Sequence, residues 1–476
     1  MKNDLIYQVN QTPPFWKNMV FALQQVLAII TATILVPIIA DKTGVYLSQS
    51  AALIGAGVGT LIYLLCTKFK SPVFLGSSFA FITPLTSAVA YGYFGILLGS
   101  IFAGAVYLIL ALVIKFAGAN WINKIMPPVI IGPIVALIGF DLSESAINNL
   151  MSVSSGYNIV GILVGVVTFL VVVLISVKGS SKIKMYPFII GMLSGYLIAC
   201  VFTIIGNSTN CEILKLVDFS AFSKITDFKN WLPNFTFVGA IKEGFAKIGG
   251  VGDVISIFIA FTPIALVSFA EHIADHKNIS SIINSDLFVE PGLHRTLVGD
   301  GLGSIVGALF GGCPNTTYGE SIGCVALSKN ASTKTILTAS IMCVIIAFFY
   351  PAIAFFETIP TCVIGGICIA LYGFISVSGF RMFKDTNLND TKNLFIVSAI
   401  FITGIGGLEL RFGAVKITNI ACALMLGIVV NLLLNSRKNK NIISDNSELL
   451  ESDNTIIDDE SVKDEKSIEN KTKDEE

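Results

Sequence analysis

Long apolar runs, separated by short groups of charged or turn-forming residues, succeed one another along most of this chain. A helix needs about 20 predominantly apolar residues to cross a bilayer, and most of the runs reach that length. They predict fourteen membrane-spanning segments, which begin near residues 18, 48, 71, 93, 125, 157, 184, 250, 295, 313, 332, 358, 391 and 413. The pattern therefore indicates an all-α polytopic membrane protein.

The third and tenth predicted segments are the least helical in composition. Residues 74–84 and 311–323 mix Gly, Ser and Pro with residues of high β propensity, among them Phe79 and Tyr318. Backbone groups freed by such an interruption need partners inside a membrane, and a polar ligand can supply them. We predict that short β-strands interrupt both segments and face each other. For the third segment, close helix packing through small residues is an equal alternative.

Segments five and twelve resemble each other. Pro127 and Gly132 recur as Pro360 and Gly365, both at a distance of 233 residues. The shift of seven segments is odd, so the two copies enter the membrane from opposite sides. The sequence thus predicts two inverted seven-helix repeats, residues 18–205 and 248–434, joined by an extracytoplasmic connection at 206–247. Such repeats recur in secondary transporters; a chance likeness of two Pro- and Gly-containing helices is the alternative.

Composition and charge agree with this picture. Hydrophobic residues make up 54% of the chain and charged residues 13%, against about 25% charged residues in soluble proteins. Residues 437–476 hold 20 of the 63 charged residues, so we expect an acidic, disordered tail at 435–476. Nothing in the charge pattern suggests a nucleic-acid partner.

Positive charge predicts the orientation. With residues 1–17 placed as a cytoplasmic N-terminus, the cytoplasmic side carries 19 Lys and Arg residues and the short outer loops carry three. Both termini are therefore expected on the cytoplasmic side of the cytoplasmic membrane. The first 17 residues lack the features of a cleaved secretory signal.

Three carboxyl groups lie in otherwise apolar surroundings. Glu320 is the only charged residue between Asp300 and Lys329, and Glu271 follows seventeen uncharged residues. Asp275 lies four residues after Glu271 and thus on the same helical face. A carboxyl group at membrane depth is costly, which favours a function. The alternatives are an ion pair or helix cap for Glu320 and an interfacial helix end for Glu271.

Two other kinds of chemistry are less favoured. His272 and His276 have the spacing of metal ligands on a helix, but no third ligand is indicated, and we predict no metal site. Asp300 lies in a Gly-Asp-Gly sequence without a matching second aspartate, so an intramembrane aspartyl protease is not expected.

Several motifs together resemble the nucleobase-ascorbate transporter family, and within it the bacterial uracil permeases. The resemblance extends from residue 12 to about residue 434. The motifs lie at residues 76–84, 270–277, 291–295, 299–301 and 314–323, with Asp286 before the third of them.

The resemblance implies a fold of a core domain, made of spans 1 to 4 and 8 to 11, and a gate domain, made of spans 5 to 7 and 12 to 14. It also implies that Glu271 and Glu320 hydrogen-bond the uracil ring, with backbone groups at Phe79 and Gly319. By the same resemblance, Glu320 together with Tyr318 favours uracil over xanthine or urate, and either Phe79 or Tyr318 would stack on the ring. A homodimer in the lipid bilayer is a further expectation.

Two departures from the family affect the proton. Asp275 stands where some uracil permeases have a histidine, and Gln24-Gln25 stands where a Gln-His pair is common. Proton coupling would then depend on Glu271 with Asp275. The sequence predicts a uracil:proton symporter that is not an enzyme and needs no cofactor besides the coupling proton. A xanthine or urate symporter, a channel and a non-transporting nucleobase sensor are the alternatives.

Overall fold

The computed structural model describes residues 5–118, 126–153, 156–180, 183–233, 235, 246–412 and 415–435. The predicted acidic tail, apart from its first residue, lies outside the described residues, as does part of the predicted connection at 206–247. The predicted N-terminal segment 1–17 is described from residue 5 onward.

Helices dominate the first half of the chain. They are α1 (Phe15–Ala40), α2 (Gln49–Cys66), α3 (Ile82–Ala88), α4 (Gly92–Ala117), α5 (Pro128–Asp141), α6 (Ser143–Met151), α7 (Ile159–Lys178), α8 (Pro187–Thr209) and the single turn α9 (Ser220–Ser223). Three short strands accompany them: β1 (Leu75–Ser77), β2 (Ser152–Val153) and β3 (Gly156–Tyr157).

The second half has the same character. Its helices are α10 (Val251–Ile283), α11 (Leu293–Leu309), α12 (Gly319–Ser328), α13 (Thr333–Ala347), α14 (Tyr350–Glu357), α15 (Thr361–Met382), α16 (Thr391–Ile405) and α17 (Asn419–Asn435). Its strands are β4 (Asn315–Thr317), β5 (Leu410–Phe412) and β6 (Val415–Ile417).

Polar caps and prolines fix where several helices begin. The side chains of Ser48, Asn158 and Asp390 each accept a hydrogen bond from a first-turn backbone N–H group of the following helix. Such a cap pairs a donor that has no partner within the helix. Pro127 and Pro360, the residues that mark the predicted repeat, lie in matching extended conformations directly before α5 and α15.

Among the described residues, eight helical stretches are long and apolar enough to cross a membrane, or nine if α13 and α14, which are bent by 75°, form one span. Their apolar side chains face both the interior and the surroundings; Leu197 and Ile402, for example, are exposed. The length and apolar character of these helices confirm the prediction of a helical, multi-pass membrane protein.

The helices form two packed groups. In the first group α11 packs against α2 and α4, and α13 packs against α1 and α2. In the second group α15 packs against α5, α6 and α7, and α16 packs against α5 and α17. Helices α5 and α15 cross so closely at Gly139 that a Cβ atom there would lie 2.5 Å from the carbonyl oxygen of Tyr372.

Two predicted segments differ in detail. The fourteenth was expected from about residue 413, but strands β5 and β6 pair there and α17 begins only at Asn419. The β-branched residues Val415 and Ile417 suit that short strand. The fifth segment is not one helix, because it is divided at Leu142 into α5 and α6.

Candidate functional site

Strands β1 and β4 pair with each other across the two halves of the chain. They are antiparallel, with Leu75 opposite Thr317, Gly76 opposite Thr316 and Ser77 opposite Asn315. The amide of Ser78 donates to the carbonyl of Pro314 at 2.9 Å, and the amide of Tyr318 donates to the carbonyl of Phe74 at 3.2 Å. These bonds satisfy backbone groups that an interrupted helix leaves unpaired.

The strand pair brings Phe79 and Gly319 to equivalent positions. Phe79 comes two residues after the end of β1 and opens a 3-10 turn, while Gly319 comes two residues after the end of β4 and opens α12. The first N–H groups of a helix have no intrahelical acceptor. Phe79 is partly accessible and Gly319 is exposed, so both backbones can meet a ligand.

Tyr318 lies within the strand pair and not on its accessible edge. Its side chain is 4% exposed, and its hydroxyl donates to the carbonyl of Ser77 at 2.7 Å. A Cβ atom at position 76 would collide with the Tyr318 ring, which makes Gly76 necessary for this packing. The contacts of Tyr318 thus hold the two strands together, while Phe79 is the aromatic side chain that reaches the accessible space.

Helix α10 carries Glu271 and Asp275 to the same place. Both are partly accessible, and the Thr317 hydroxyl at the end of β4 donates to Asp275 Oδ2 at 2.7 Å. This bond fixes the carboxyl group of Asp275 against the strand pair. Hydrogen bonds to an ionised acceptor are worth about 1.5–3 kcal/mol.

Glu320 completes a group of three carboxyl groups. It lies in the first turn of α12 and is partly accessible, at the helix end whose dipole favours negative charge. Helix α10, which carries Glu271 and Asp275, packs against β4 and against α12, which carries Glu320. The structure therefore brings together five predicted site residues: Phe79, Glu271, Asp275, Gly319 and Glu320.

The other side of α10 carries a buried polar network. His272 and Asp300 are each 0% exposed, and His272 Nδ1 lies 2.6 Å from Asp300 Oδ2. His272 Nε2 lies 3.0 Å from the hydroxyl of Thr296, which itself donates to the carbonyl of Leu293. The pair with the best metal-ligand spacing is thus engaged in hydrogen bonds, and Asp300 is paired with a histidine rather than a second aspartate.

His276 extends the hydrogen-bond network to Tyr63, and its partners determine which ring nitrogen carries the proton. Its Nδ1 lies 2.8 Å from the carbonyl of His272 and its Nε2 lies 2.7 Å from the Tyr63 hydroxyl. A carbonyl can only accept, so Nδ1 carries the proton and, in the neutral imidazole, Nε2 accepts from Tyr63. The Tyr63 oxygen then accepts from Ser71, 2.7 Å away.

Two neighbours of the site, Tyr372 and Gln25, were not among the predicted site residues, although Gln25 was noted as a departure from the family. The Phe79 ring makes an edge contact with Tyr372 on α15, with ring centroids 5.9 Å apart. Gln25 is 2% exposed and its Nε2 lies 3.4 Å from the carbonyl of Ser321, next to Glu320. A polar residue in an apolar helix was a signal for Gln25; an aromatic residue in an apolar helix gave none for Tyr372.

Comparison with solved structures defines the class of fold. The chain matches the transmembrane domain of a cyanobacterium bicarbonate transporter, BicA, with a TM-score of 0.55, 15% identity and coverage of 89% of this chain and 100% of that domain. It matches SLC26A9 with a TM-score of 0.60, 12% identity and coverage of 87% of this chain and 64% of that chain. At these identities the likeness concerns the fold alone.

The family follows from sequence. The profile of the Permease family (Xan_ur_permease) matches residues 16–411, and the chain belongs to this family. A uracil permease of Bacillus caldolyticus is 34% identical over 440 residues, covering 91% of this chain and 96% of the relative.

Two further relatives agree. A uracil permease of Bacillus subtilis (strain 168) is 33% identical, covering 90% of this chain and 94% of the relative. One of Escherichia coli (strain K12) is 31% identical, covering 89% and 93%. The predicted resemblance to bacterial uracil permeases is confirmed, and the protein is a multi-pass membrane permease rather than an enzyme.

Proposed function

We propose that this protein is a uracil:proton symporter that imports uracil across the cytoplasmic membrane. The observation that carries the proposal is the strand pair that holds Phe79 and Gly319 beside Glu271, Asp275 and Glu320. The curated relatives that are named uracil permeases support the choice of substrate.

The chemistry of these residues suits a flat pyrimidine. Uracil offers two N–H donors and two carbonyl acceptors; a carboxylate accepts from N–H, and a backbone N–H donates to a carbonyl. In our proposal Glu271 and Glu320 accept from the ring, backbone N–H groups near Phe79 and Gly319 donate to it, and the Phe79 ring stacks on its face. An analogue that leaves one of these groups unpaired would be rejected.

Glu271 and Asp275 would carry the coupling proton. Charged carboxyl groups that lie close together in a poorly solvated site repel one another, and one bound proton relieves this repulsion. A protonated Glu271 can also orient uracil. Proton binding and substrate binding would thus share one residue, which is what couples the two fluxes.

We further propose that the described elements form fourteen spans in two inverted repeats. The spans are α1, α2, β1 with α3, α4, α5 with α6, α7, α8, α10, α11, β4 with α12, α13, α15, α16 and α17. Spans 1 to 4 and 8 to 11 form the core domain, and spans 5 to 7 and 12 to 14 form the gate domain. The matching proline starts of α5 and α15 and the pairing of β1 with β4 support this arrangement.

Transport would proceed by movement of the core against the gate, with both termini on the cytoplasmic side. Phe79 on the core side and Tyr372 on the gate side face each other across that boundary. Assembly as a homodimer through the gate domain is part of the proposal and follows from the family resemblance.

The test is uptake of radiolabelled uracil into proteoliposomes, with and without an inward proton gradient, and with xanthine as competitor. We expect gradient-dependent accumulation that excess xanthine leaves unchanged. Competition by xanthine would indicate a purine symporter, and uracil binding without uptake would identify a sensor. Equilibration without accumulation under the gradient would contradict symport.

A matched substitution tests the site itself. Glu320→Gln keeps the size of the side chain but removes its charge, and we expect uracil binding to weaken about 10- to 100-fold, the range for a hydrogen bond to a charged group. Glu290→Gln makes the same change at an exposed turn and is the control. Wild-type binding by Glu320→Gln would contradict our assignment of Glu320.

A further inference from the structure

A second interdomain contact lies one helical turn beyond Phe79. Asp141, the last residue of α5, accepts from the Thr83 hydroxyl at 2.9 Å through Oδ2 and from Asn419 Nδ2 at 2.7 Å through Oδ1. Asn419 also donates to the carbonyl of Gly404 at 3.1 Å. Both oxygens of one carboxyl group are thus used, and three separate chain segments meet at it.

The three segments belong to the two different groups of helices. Thr83 is on α3, which packs against α1, α4 and α10. Asp141 and Asn419 are on α5 and α17, which pack against each other and against α16. The bond between Asp141 and Thr83 therefore joins the proposed core to the proposed gate, whereas the bond between Asp141 and Asn419 stays within the gate.

The contact lies at the boundary between the two groups. A crevice of about 220 Å³ lies beside it, lined on the core side by Pro84, Ser87 and Ser256 and on the gate side by Thr418. Ser256 is in the first turns of α10, and Glu271 and Asp275 are further along the same helix. The contact therefore lies nearer the beginning of α10 than the carboxyl groups of the site do.

We infer that Asp141 is a latch that, through Thr83, holds shut the end of the substrate cleft where α10 begins, while Asn419 orients it. The inference rests on the proposed function in one respect, since alternating access requires the core and gate to separate at each end of the cleft in turn. When this end opens, the Thr83 bond breaks and the Asn419 bond remains. The strength of the Thr83 bond then sets how often this end is open.

The chain offers a matched pair of variants to test the latch. Thr83→Val removes the hydroxyl that Asp141 accepts from, at almost constant volume. Thr86→Val makes the same change on the same helix, where the exposed Thr86 hydroxyl donates only to the carbonyl of Ile82 in the hydrogen bonds of the structure. Thr83→Ser keeps the hydroxyl and should behave as the parent does.

The readout is the rate at which a water-soluble maleimide labels Ser256→Cys in nanodiscs, where both membrane faces are accessible. Ser256 is 5% exposed in this closed arrangement. We expect Thr83→Val to raise the labelling rate about tenfold, which corresponds to a shift of about 1.4 kcal/mol. Thr86→Val and Thr83→Ser should leave the rate within about twofold of the parent's, well below that change. Peptide mapping separates this label from the native cysteines.

Equal labelling of Thr83→Val and Thr86→Val would overturn the latch. Asp141→Asn is a second variant: it weakens both bonds, so we expect labelling at least as fast as in Thr83→Val, and parental labelling would again refute the inference. Neither reading needs uracil. Failure of uracil uptake in the parent would therefore count against the proposed function, while the labelling rates would still decide whether the latch exists.

Discussion

Two faces of α10 differ sharply in exposure, although the residues that form one face directly precede those that form the other. Glu271 and Asp275 are partly accessible and face the strand pair, with Glu320 nearby. His272 and His276 are 0% and 1% exposed, their rings are stacked 4.0 Å apart, and their nitrogens are engaged by Asp300, Thr296, Tyr63 and the His272 carbonyl. One face is open to a ligand and the other is sealed.

Within residues 271–276, the accessible polar side chains are those proposed to bind a ligand, and the buried polar side chains stabilise the fold. A buried polar group is costly unless it is paired, and on the sealed face both histidine rings are paired by hydrogen bonds to α2 and α11. The accessible face keeps carboxyl groups available that a ligand or a proton can engage. Polarity in a membrane helix thus has two causes here, and only the accessible face is expected to act in transport.

The largest effect is expected at Glu271. Glu271→Gln preserves shape but cannot bind or release the coupling proton, so we expect accumulation of uracil under a proton gradient to be lost. Exchange of uracil between equal internal and external pools, which needs no net proton movement, should persist at a reduced rate. The measurement is uptake into proteoliposomes with and without the gradient.

The control for this variant is Glu290→Gln, which changes an exposed carboxylate outside the site. Full gradient-driven accumulation by Glu271→Gln would show that Glu271 does not carry the coupling proton. It would also break the comparison, because the accessible face would then no longer differ in function from the sealed one.

On the sealed face, stability should change instead of coupling. His272→Phe leaves Asp300 buried without its partner, and a buried polar group that loses its hydrogen-bond partner costs about 1–3 kcal/mol of unfolding free energy. We expect a clear drop in melting temperature in detergent, while the folded fraction still accumulates uracil under a gradient. His294→Phe, at the partly exposed third histidine, should leave both unchanged. Loss of coupling at wild-type stability would contradict the structural role.

Thr317 connects the strand pair to the accessible face, and its effect should be smaller. Thr317→Val removes the hydroxyl that Asp275 accepts from. We expect the initial rate of uracil uptake to fall about tenfold, near the lower end for a hydrogen bond to a charged group. Thr317→Ser retains the hydroxyl and should restore the rate. An unchanged rate in Thr317→Val would show that Asp275 needs no such support.

Much of this arrangement was predictable because the signals are local in sequence. Apolar run length indicates the helices, small and β-forming residues indicate the interruptions at 74–84 and 311–323, and a spacing of four residues places Glu271 and Asp275 on one face. The apolar setting of Glu320 made it a costly position for a carboxyl group, which is the basis for predicting a functional role.

The missing part consists of contacts between residues distant in sequence. The partner of His272 is 28 residues away, and the Thr83 hydroxyl bonds to a residue 58 positions further on. The sequence around His272 and Thr83 does not identify their partners, since both partners are aspartates and aspartate is a common polar residue. Whether a polar residue of α10 is accessible or sealed likewise depends on what packs against it, and that is set by the tertiary fold.

The smallest effect is expected at a charged pair outside both faces. Glu290, in the turn between α10 and α11, is bonded to Lys70, and this hydrogen bond lowers the pKa of the Glu290 carboxyl below its ordinary value. A lowered pKa means that the pair stabilises the fold at neutral pH and is lost only as pH falls through that lowered value. Because both side chains are exposed, the effect is weak.

We therefore expect Glu290→Gln to lower the melting temperature in detergent by no more than about 2 °C, equally at all values between about pH 6 and about pH 8. The difference from the parent should shrink only in more acid solution, where the parent's Glu290 also takes up a proton. Uracil accumulation should match the parent's, since the pair touches neither face of α10. A change in coupling would show that the turn after α10 acts on the accessible carboxyl groups, and the division between the two faces would then not account for transport.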